Sequence, residues 1–272
     1  MKNISHIIWF TRWMHRLFSA MLRRLSVVDL MPSVFAPRTR WLYDRRSGRV
    51  RSFRLRRTLA DYWSYDQTLA SSGLDLQRWP QGERLKQQYQ AMLADGRQPV
   101  ILDCGANIGC STYWLATEFP RARVLAIEPD AGNVALAQHN TRHCPNVTVL
   151  RAAVAATDCM LRIADAGASA DSFRTEPSAE GDIHGYAIAS LLTQVGATPH
   201  ELLLAKVDIE GFEQQLFSEN TEWLAATGAV IVETHDWMLA GQASAVPLLR
   251  CLGALRRDFL VHGEHIMSFR IP

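Results

Sequence analysis

The sequence lacks a long hydrophobic run. The longest early apolar stretch, Ile7 to Phe10, is cut by Thr11 and Arg12. That is too short for a membrane span, which needs roughly 20 apolar residues, or for a signal-peptide core. The chain is therefore expected to stay in the cytoplasm. Paired cysteines are missing as well: Cys104, Cys110, Cys144, Cys159 and Cys251 form no CxxC and no Cys/His ligand spacing. An odd count of isolated cysteines suits free thiols in a reducing compartment. Repeats and low-complexity tracts are absent too. The net charge is only +2, but residues 1–99 hold 18 Lys+Arg against 7 Asp+Glu, and the remainder holds 11 against 20. The front is thus basic by +11 and the rest acidic by −9, which points to an anionic partner for the front.

What is present begins with a periodic segment. From Trp9 to Leu25, Phe10, Trp13, Met14, Leu17, Phe18, Met21, Leu22 and Leu25 recur at helical spacing, with Arg12, Arg16, Arg23 and Arg24 opposite. A basic amphipathic helix is predicted over residues 4–26. Its apolar face can dock on its own domain, on a second copy in a homo-oligomer, or on an anionic membrane at the inner face. Pro32 and Pro37 end it. Arg45, Arg46, Arg49, Arg51, Arg54, Arg56 and Arg57 then surround Val50, Phe53 and Leu55, with Ser47-Gly48 as a turn signal. This reads as a solvated hairpin within an Arg-rich segment 38–57, although arginines also grip phosphates, leaving a phosphorylated acceptor or lipid head group open. A helical segment over 80–95 completes a basic extension, residues 1–96.

After Gly96 the texture changes. Val100-Ile101-Leu102, Val124 to Ile127, Val147 to Leu150, Leu202 to Ala205 and Ala229 to Val232 are short apolar runs, separated by helical patterns such as Ile108 to Phe119. Continuous rather than alternating apolar strands indicate an α/β domain, residues 97–272, with a doubly wound, mostly parallel sheet covered on both faces. Phe259 to Val261, Gly263-Glu264 and Ile266 to Phe269 read as a terminal hairpin that gives the sheet an antiparallel edge. Ala164 to Gly185, polar and rich in Gly and Ala, is expected to be a mobile insertion.

In such a sheet, ligands bind beyond the carboxyl ends of the strands. Asp103-Cys-Gly-Ala-Asn-Ile-Gly109 follows the first run, and Gly105 and Gly109 let the backbone approach a ligand while the next helix presents free N–H groups. Glu128, about 20 residues on, can accept both hydroxyls of a ribose. Together they suit a nucleoside. Asn107 stands where a dinucleotide fingerprint wants its middle glycine, and Asp103 suits an amino group better than a pyrophosphate. S-adenosylmethionine has an amino group, a sulfonium and a ribose, and no phosphate; an NAD-dependent oxidoreductase stays open as the lesser reading.

Ile101-Leu-Asp-Cys-Gly-Ala-Asn-Ile-Gly109, Ala126-Ile-Glu-Pro-Asp130, Lys206-Val-Asp-Ile-Glu-Gly-Phe-Glu213 and Val230-Ile-Val-Glu-Thr-His-Asp236 resemble, in that order, the FkbM-type methyltransferases. The resemblance covers about Pro99 to Asp236. It implies the class I methyltransferase (Rossmann-like) fold with a seven-stranded sheet, bound S-adenosylmethionine with S-adenosylhomocysteine as product, and O-methylation of sugars, glycolipid precursors or natural-product hydroxyls. Carried over, Asp103, Gly105, Asn107 and Gly109 would hold the methionine part, Glu128 the ribose, and the backbone around Ala152 would pass the adenine.

Lys206, Asp208 and Glu210 end the fourth strand and Glu233 and His235 the fifth, so alternate side chains can point at the transferable methyl. Asp208 and His235 are the candidate bases for a hydroxyl. Asp208, Glu210, Glu233 and His235 could also gather a hard divalent cation, but the preferred reading uses no metal. A nucleic-acid methyltransferase would use the arginines as a phosphate track; its amino-methylating branch shows Asn/Asp-Pro-Pro-aromatic where this chain has Asp208-Ile-Glu-Gly211. A non-catalytic cofactor-binding scaffold is the remaining alternative.

Overall fold

The computed structural model describes Met14 and residues 27–30, 38–56, 58–71, 73–164 and 175–271. Apart from Met14, the helix predicted over 4–26 lies outside the described residues, as do Arg57 and residues 165–174 of the expected insertion.

Strands β1 (Val27–Asp29), β2 (Thr39–Asp44) and β3 (Arg49–Arg54) form a small antiparallel sheet, with the turn at Ser47-Gly48 where the sequence signals it. Its arginines serve the fold. Arg40, 1% exposed, pairs with Asp29. The Arg46 guanidinium lies 4.5 Å from the centre of the Trp114 ring and bonds Glu118 at 3.3 Å, while Asp44 accepts from the Tyr113 hydroxyl at 2.8 Å. Arg56 joins Asp61 at 2.7 Å and Asn133 at 2.6 Å. Helix Leu59–Tyr65, capped by Thr58 (Oγ1 accepts from Asp61 N at 3.2 Å), runs on into a π-helical turn, Asp66–Ala70. Helix Pro80–Ala94 follows, in place of the predicted 80–95.

The large sheet is built from β4 (Val100–Cys104), β5 (Arg123–Glu128) and β6 (Val147–Arg151). Three strands of a smaller sheet follow, β7 (Ala153–Val154), β8 (Cys159–Ile163) and β9 (Thr175–Pro177), then its last, β10 (Ile183–Tyr186). The large sheet is completed by β11 (Leu202–Val207), β12 (Ala229–Glu233), β13 (Arg257–His262) and β14 (His265–Arg270). Its order is β6-β5-β4-β11-β12-β14-β13, the seven strands expected. The first five are mutually parallel, and β14 is antiparallel to both of its neighbours. The hairpin therefore places its reversed strand one in from the edge, and the edge strand β13 runs with the parallel set.

The continuous apolar runs have a direct explanation. Ile101 packs into a cluster with Leu42, Phe53, Tyr65 and Trp114, while Val100, Leu102 and Cys104 pack on the other face with Leu191, Leu248 and Leu252. Alternate side chains enter opposite cores, so neither set can be polar. The first cluster contains residues of the extension, which shares the core of the main sheet. All five cysteines are free. Among the described residues no helix is long and apolar enough to cross a membrane.

The segment expected to be a mobile insertion is partly sheet. Ile183 and Leu161 are buried at 1% and 0% exposure. A Cβ on Gly181 would lie 2.1 Å from the Leu161 carbonyl oxygen. The glycine content that suggested a loop instead allows close strand packing.

Candidate functional site

The carboxyl ends of β4, β5, β11 and β12 converge on two cavities. β4 pairs with β11 so that Asp103 lies opposite Lys206, and Val207 of β11 lies opposite Val232 of β12. Asp208 and Glu233 consequently emerge side by side.

Gly105 (φ +80°) turns the chain sharply after β4, and a Cβ there would sit 1.6 Å from the Asp208 carbonyl oxygen. Gly109 (φ +85°) caps helix Cys110–Glu118 and lies against Ala137. Asn107 also takes the left-handed region, φ +48°, which asparagine tolerates better than most residues. Gly105→Ala is expected to cost about 2–5 kcal/mol, combining the left-handed penalty with the clash. Gly48→Ala, equally left-handed at φ +65° but with nothing within 4 Å, should cost only about 1–2 kcal/mol. Urea denaturation of both variants checks this; equal losses would mean that the clash is relieved.

A narrow cleft lies between this loop and the end of β5, lined by Gly105, Asn107, Glu128, Val154, Asp208 and Glu210 among others. Glu128 is 4% exposed and accepts from the Asn107 N–H at 2.8 Å, the Asp130 N–H at 3.0 Å and Asn133 Nδ2 at 3.1 Å. Burial nevertheless raises its pKa to about 7. Of the backbone expected near a base, Ala153 lines the cleft together with Val154, while Ala152 is 1% exposed and its N–H goes to the Glu128 carbonyl at 3.1 Å.

The second cavity, about 400 Å³, lies between the glycine loop, the helical residues 64–70 with the following Ser71, Gly73 and Leu74, and the turn joining β13 to β14. Gly105, Asn107 and Asp208 line both spaces. Lys206 and Glu233 line the second.

Asp103 lines neither space. It is 0% exposed and accepts from Ser111 Oγ at 2.8 Å and Thr112 Oγ1 at 2.5 Å, with Lys206 Nζ 3.8 Å away. Lys206 Nζ also bonds Asp208 at 3.0 Å. Burial alone would lower the lysine pKa, but Asp208 and Asp103 hold it above its ordinary value. The lysine in turn holds Asp208 below the usual carboxylate range against the effect of burial. Asp103 thus shapes the site from behind.

His235 is likewise behind the wall, 2% exposed and lining neither cavity. Its Nδ1 meets Glu213 at 2.8 Å, and its Nε2 faces Glu210 at 3.4 Å, Asp208 at 3.8 Å and Glu233 at 3.9 Å. Burial would lower its pKa, but the Glu213 hydrogen bond and the surrounding carboxylates push it up to about 9. Glu233, raised by burial and by Asp208, reaches about 8. Glu210 adopts φ +55°, a strained backbone of the kind that gathers at functional sites. Ligand atoms of Asp208, Glu233 and His235 lie within 4.8 Å of one another, a donor set that a hard divalent cation could use; Lys206 and protonated His235 already supply positive charge there.

The structure adds residues that sequence reasoning passed over. Glu213 is 1% exposed and orients His235; its only sequence signal was its place in the Lys206 to Glu213 motif. His265 of β14 approaches Glu233 at 3.5 Å, and Ser64 accepts from Asn107 Nδ2 at 3.2 Å.

Comparison with known proteins completes the description. No curated protein matches the chain. Among solved structures, monomeric WbdD shares 15% identity over 68% of this chain and 40% of its own, with a TM-score of 0.40. A Klebsiella pneumoniae protein described as an O-methyltransferase shares 15% over 70% of this chain and 80% of its own, also at 0.40. This chain therefore spans less than half the length of WbdD. The methyltransferase FkbM domain matches residues 103–261, from the buried Asp103 through both carboxylate-bearing strand ends to the final hairpin, and the chain belongs to the FkbM methyltransferase family.

Proposed function

We propose that this methyltransferase moves a methyl group from S-adenosylmethionine to a hydroxyl oxygen of a sugar, glycolipid precursor or natural product. The carrying observation is that Gly105, Asn107 and Asp208 line both cavities, so that a donor in the cleft and an acceptor in the larger cavity would meet there. The residues fit this cofactor. Glu128 offers a carboxylate to ribose hydroxyls, Gly105 lets the loop pack directly on the Asp208 backbone where the two cavities meet, and Asn107 Oδ1 is buried with no hydrogen-bond partner among the described residues, ready for a donor such as an amino group.

The cofactor supplies a methyl already activated on a sulfonium. The protein's task is mostly alignment, which can contribute as much as roughly 7–11 kcal/mol. An acceptor hydroxyl that took this methyl would have to give up its proton. A base has to reach that proton at hydrogen-bond distance. The position of His235 behind the wall moves this role to Glu233, which lines the acceptor cavity and whose pKa near 8 makes it a stronger base than an ordinary carboxylate. Asp208, kept ionised by Lys206, orients the hydroxyl. His235 ties Asp208, Glu210 and Glu233 together, and Glu213 fixes its ring.

Calorimetric titration with S-adenosylhomocysteine tests the reading. Micromolar binding by the wild type, lost in Glu128→Ala, is expected. Absence of binding by folded wild-type protein would overturn it in favour of a scaffold that keeps the fold without turnover.

A further inference from the structure

Four residues of the extension fall on the acceptor cavity at one helical spacing: Ser64, Gln67, Thr68 and Ser71, or i, i+3, i+4 and i+7. The opposite side of the same segment is core, with Tyr65 and Leu69 at 1% and 0% exposure. The stripe survives the switch to π-helical geometry, where the Ser71 N–H bonds the Asp66 carbonyl at 2.7 Å. Each side chain is uncharged and can both donate and accept. Ser64 accepts from Asn107, which leaves its own proton to point elsewhere. Among the described residues, no hydrogen bond engages the side-chain polar atoms of Gln67, Thr68 or Ser71.

The charged groups of the rest of the lining are mostly acidic. Asp208, Glu233 and Glu264 face the cavity beside His262 and His265, Lys206 is engaged by Asp208, and among the described residues no other lysine and no arginine lines it. The described arginines of segment 38–57 line neither cavity. His262 is held on the far side by an edge contact with Trp79, centroids 5.2 Å apart, so that the β13–β14 turn stands opposite the polar stripe.

We infer that the acceptor is a neutral polyhydroxylated molecule of the carbohydrate class, read by the stripe Ser64, Gln67, Thr68 and Ser71 in the cavity that this stripe shares with Asp208 and Glu233. The inference rests on the methyl-transfer reading and narrows it, excluding acceptors that carry phosphate in this cavity. Paired hydroxyl and amide groups match the alternating donors and acceptors of a sugar face, whereas a phosphate would meet carboxylates.

The test uses the full chain, labelled S-adenosylmethionine, and a panel of neutral methyl glycosides set against the corresponding sugar phosphates. Methyl transfer to at least one neutral glycoside is expected, with its phosphate analogue at least tenfold poorer. Gln67→Ala/Ser71→Ala should raise KM for the glycoside about tenfold, the effect of losing two neutral hydrogen bonds, with kcat and S-adenosylhomocysteine affinity within twofold of wild type. Equal or better transfer to phosphates overturns the inference. So does an unchanged KM, a loss of S-adenosylhomocysteine affinity in the double variant, or cofactor binding by the wild type with no transfer to any neutral glycoside. Failure of the wild type to bind S-adenosylhomocysteine at all would instead sink the methyl-transfer reading beneath it.

Discussion

Glu233→Gln is expected to lower turnover by roughly 10²- to 10⁴-fold, the usual contribution of a positioned base, while S-adenosylhomocysteine affinity stays within a few-fold. The carboxylate must be ionised to take a proton, so wild-type activity should climb with pH through about 8, where burial and Asp208 have pushed the Glu233 pKa, and then level off. In Glu233→Gln that limb disappears. His235→Ala has a different signature: protonated His235 lowers the Glu233 pKa, so its removal should carry the limb to higher pH with a smaller loss at the plateau. A pH–rate profile of the three proteins decides. If His235→Ala abolishes turnover at every pH and Glu233→Gln does not, the histidine reaches the acceptor after local movement and is itself the base.

Lys206→Met is expected to destabilise the fold by about 3–5 kcal/mol, the range for removing one partner of a buried ion pair. Lys206 is 5% exposed, and it is the cation nearest to Asp103, which is 0% exposed. Without it, Asp103 keeps, among the described residues, the Ser111 and Thr112 hydroxyls, which stabilise its charge less than an ammonium does. Burial already raises the Asp103 pKa, and loss of the lysine raises it further. The sign with pH follows: the penalty belongs to the ionised carboxylate, so it is full near neutral pH and shrinks as acid protonates Asp103 and Asp208. Urea denaturation at pH 7 and pH 5 measures it. A loss below about 1 kcal/mol at pH 7 would mean that the site relaxes or Asp103 is protonated in the wild type.

Much of this was legible beforehand, for identifiable reasons. Strands buried on both faces cannot carry alternating polar residues, so Val100 to Leu102, Leu202 to Ala205 and Ala229 to Val232 stood out as uninterrupted runs. The glycine loop and Glu128 were visible because a sharp left-handed turn after a strand and a carboxylate at the end of the next strand leave particular residue types at a particular spacing. The stripe from Ser64 to Ser71 was equally regular, yet a polar stripe ordinarily means a solvated face, and nothing local distinguishes water from a cavity. The small sheet was missed because Gly181 and Gly185, which resemble loop residues, are there to let Leu161 pack closely.

The sequence by itself determined the parallel sheet, the glycine loop, the family and the pool of polar residues at the strand ends, because each depends on local periodicity or on short contiguous motifs. Only the tertiary structure decided which of those residues line the cavities and which stand behind them. Asp103 turns toward Ser111 and Thr112, His235 is drawn inward by Glu213, 22 residues away, and Glu233 is left on the cavity wall. The physical reason is that a strand end offers only alternation. Whether a given carboxylate or imidazole ends in solvent, in a cavity or in the core is set by partners from distant segments, whose charges and hydrogen bonds make burial tolerable.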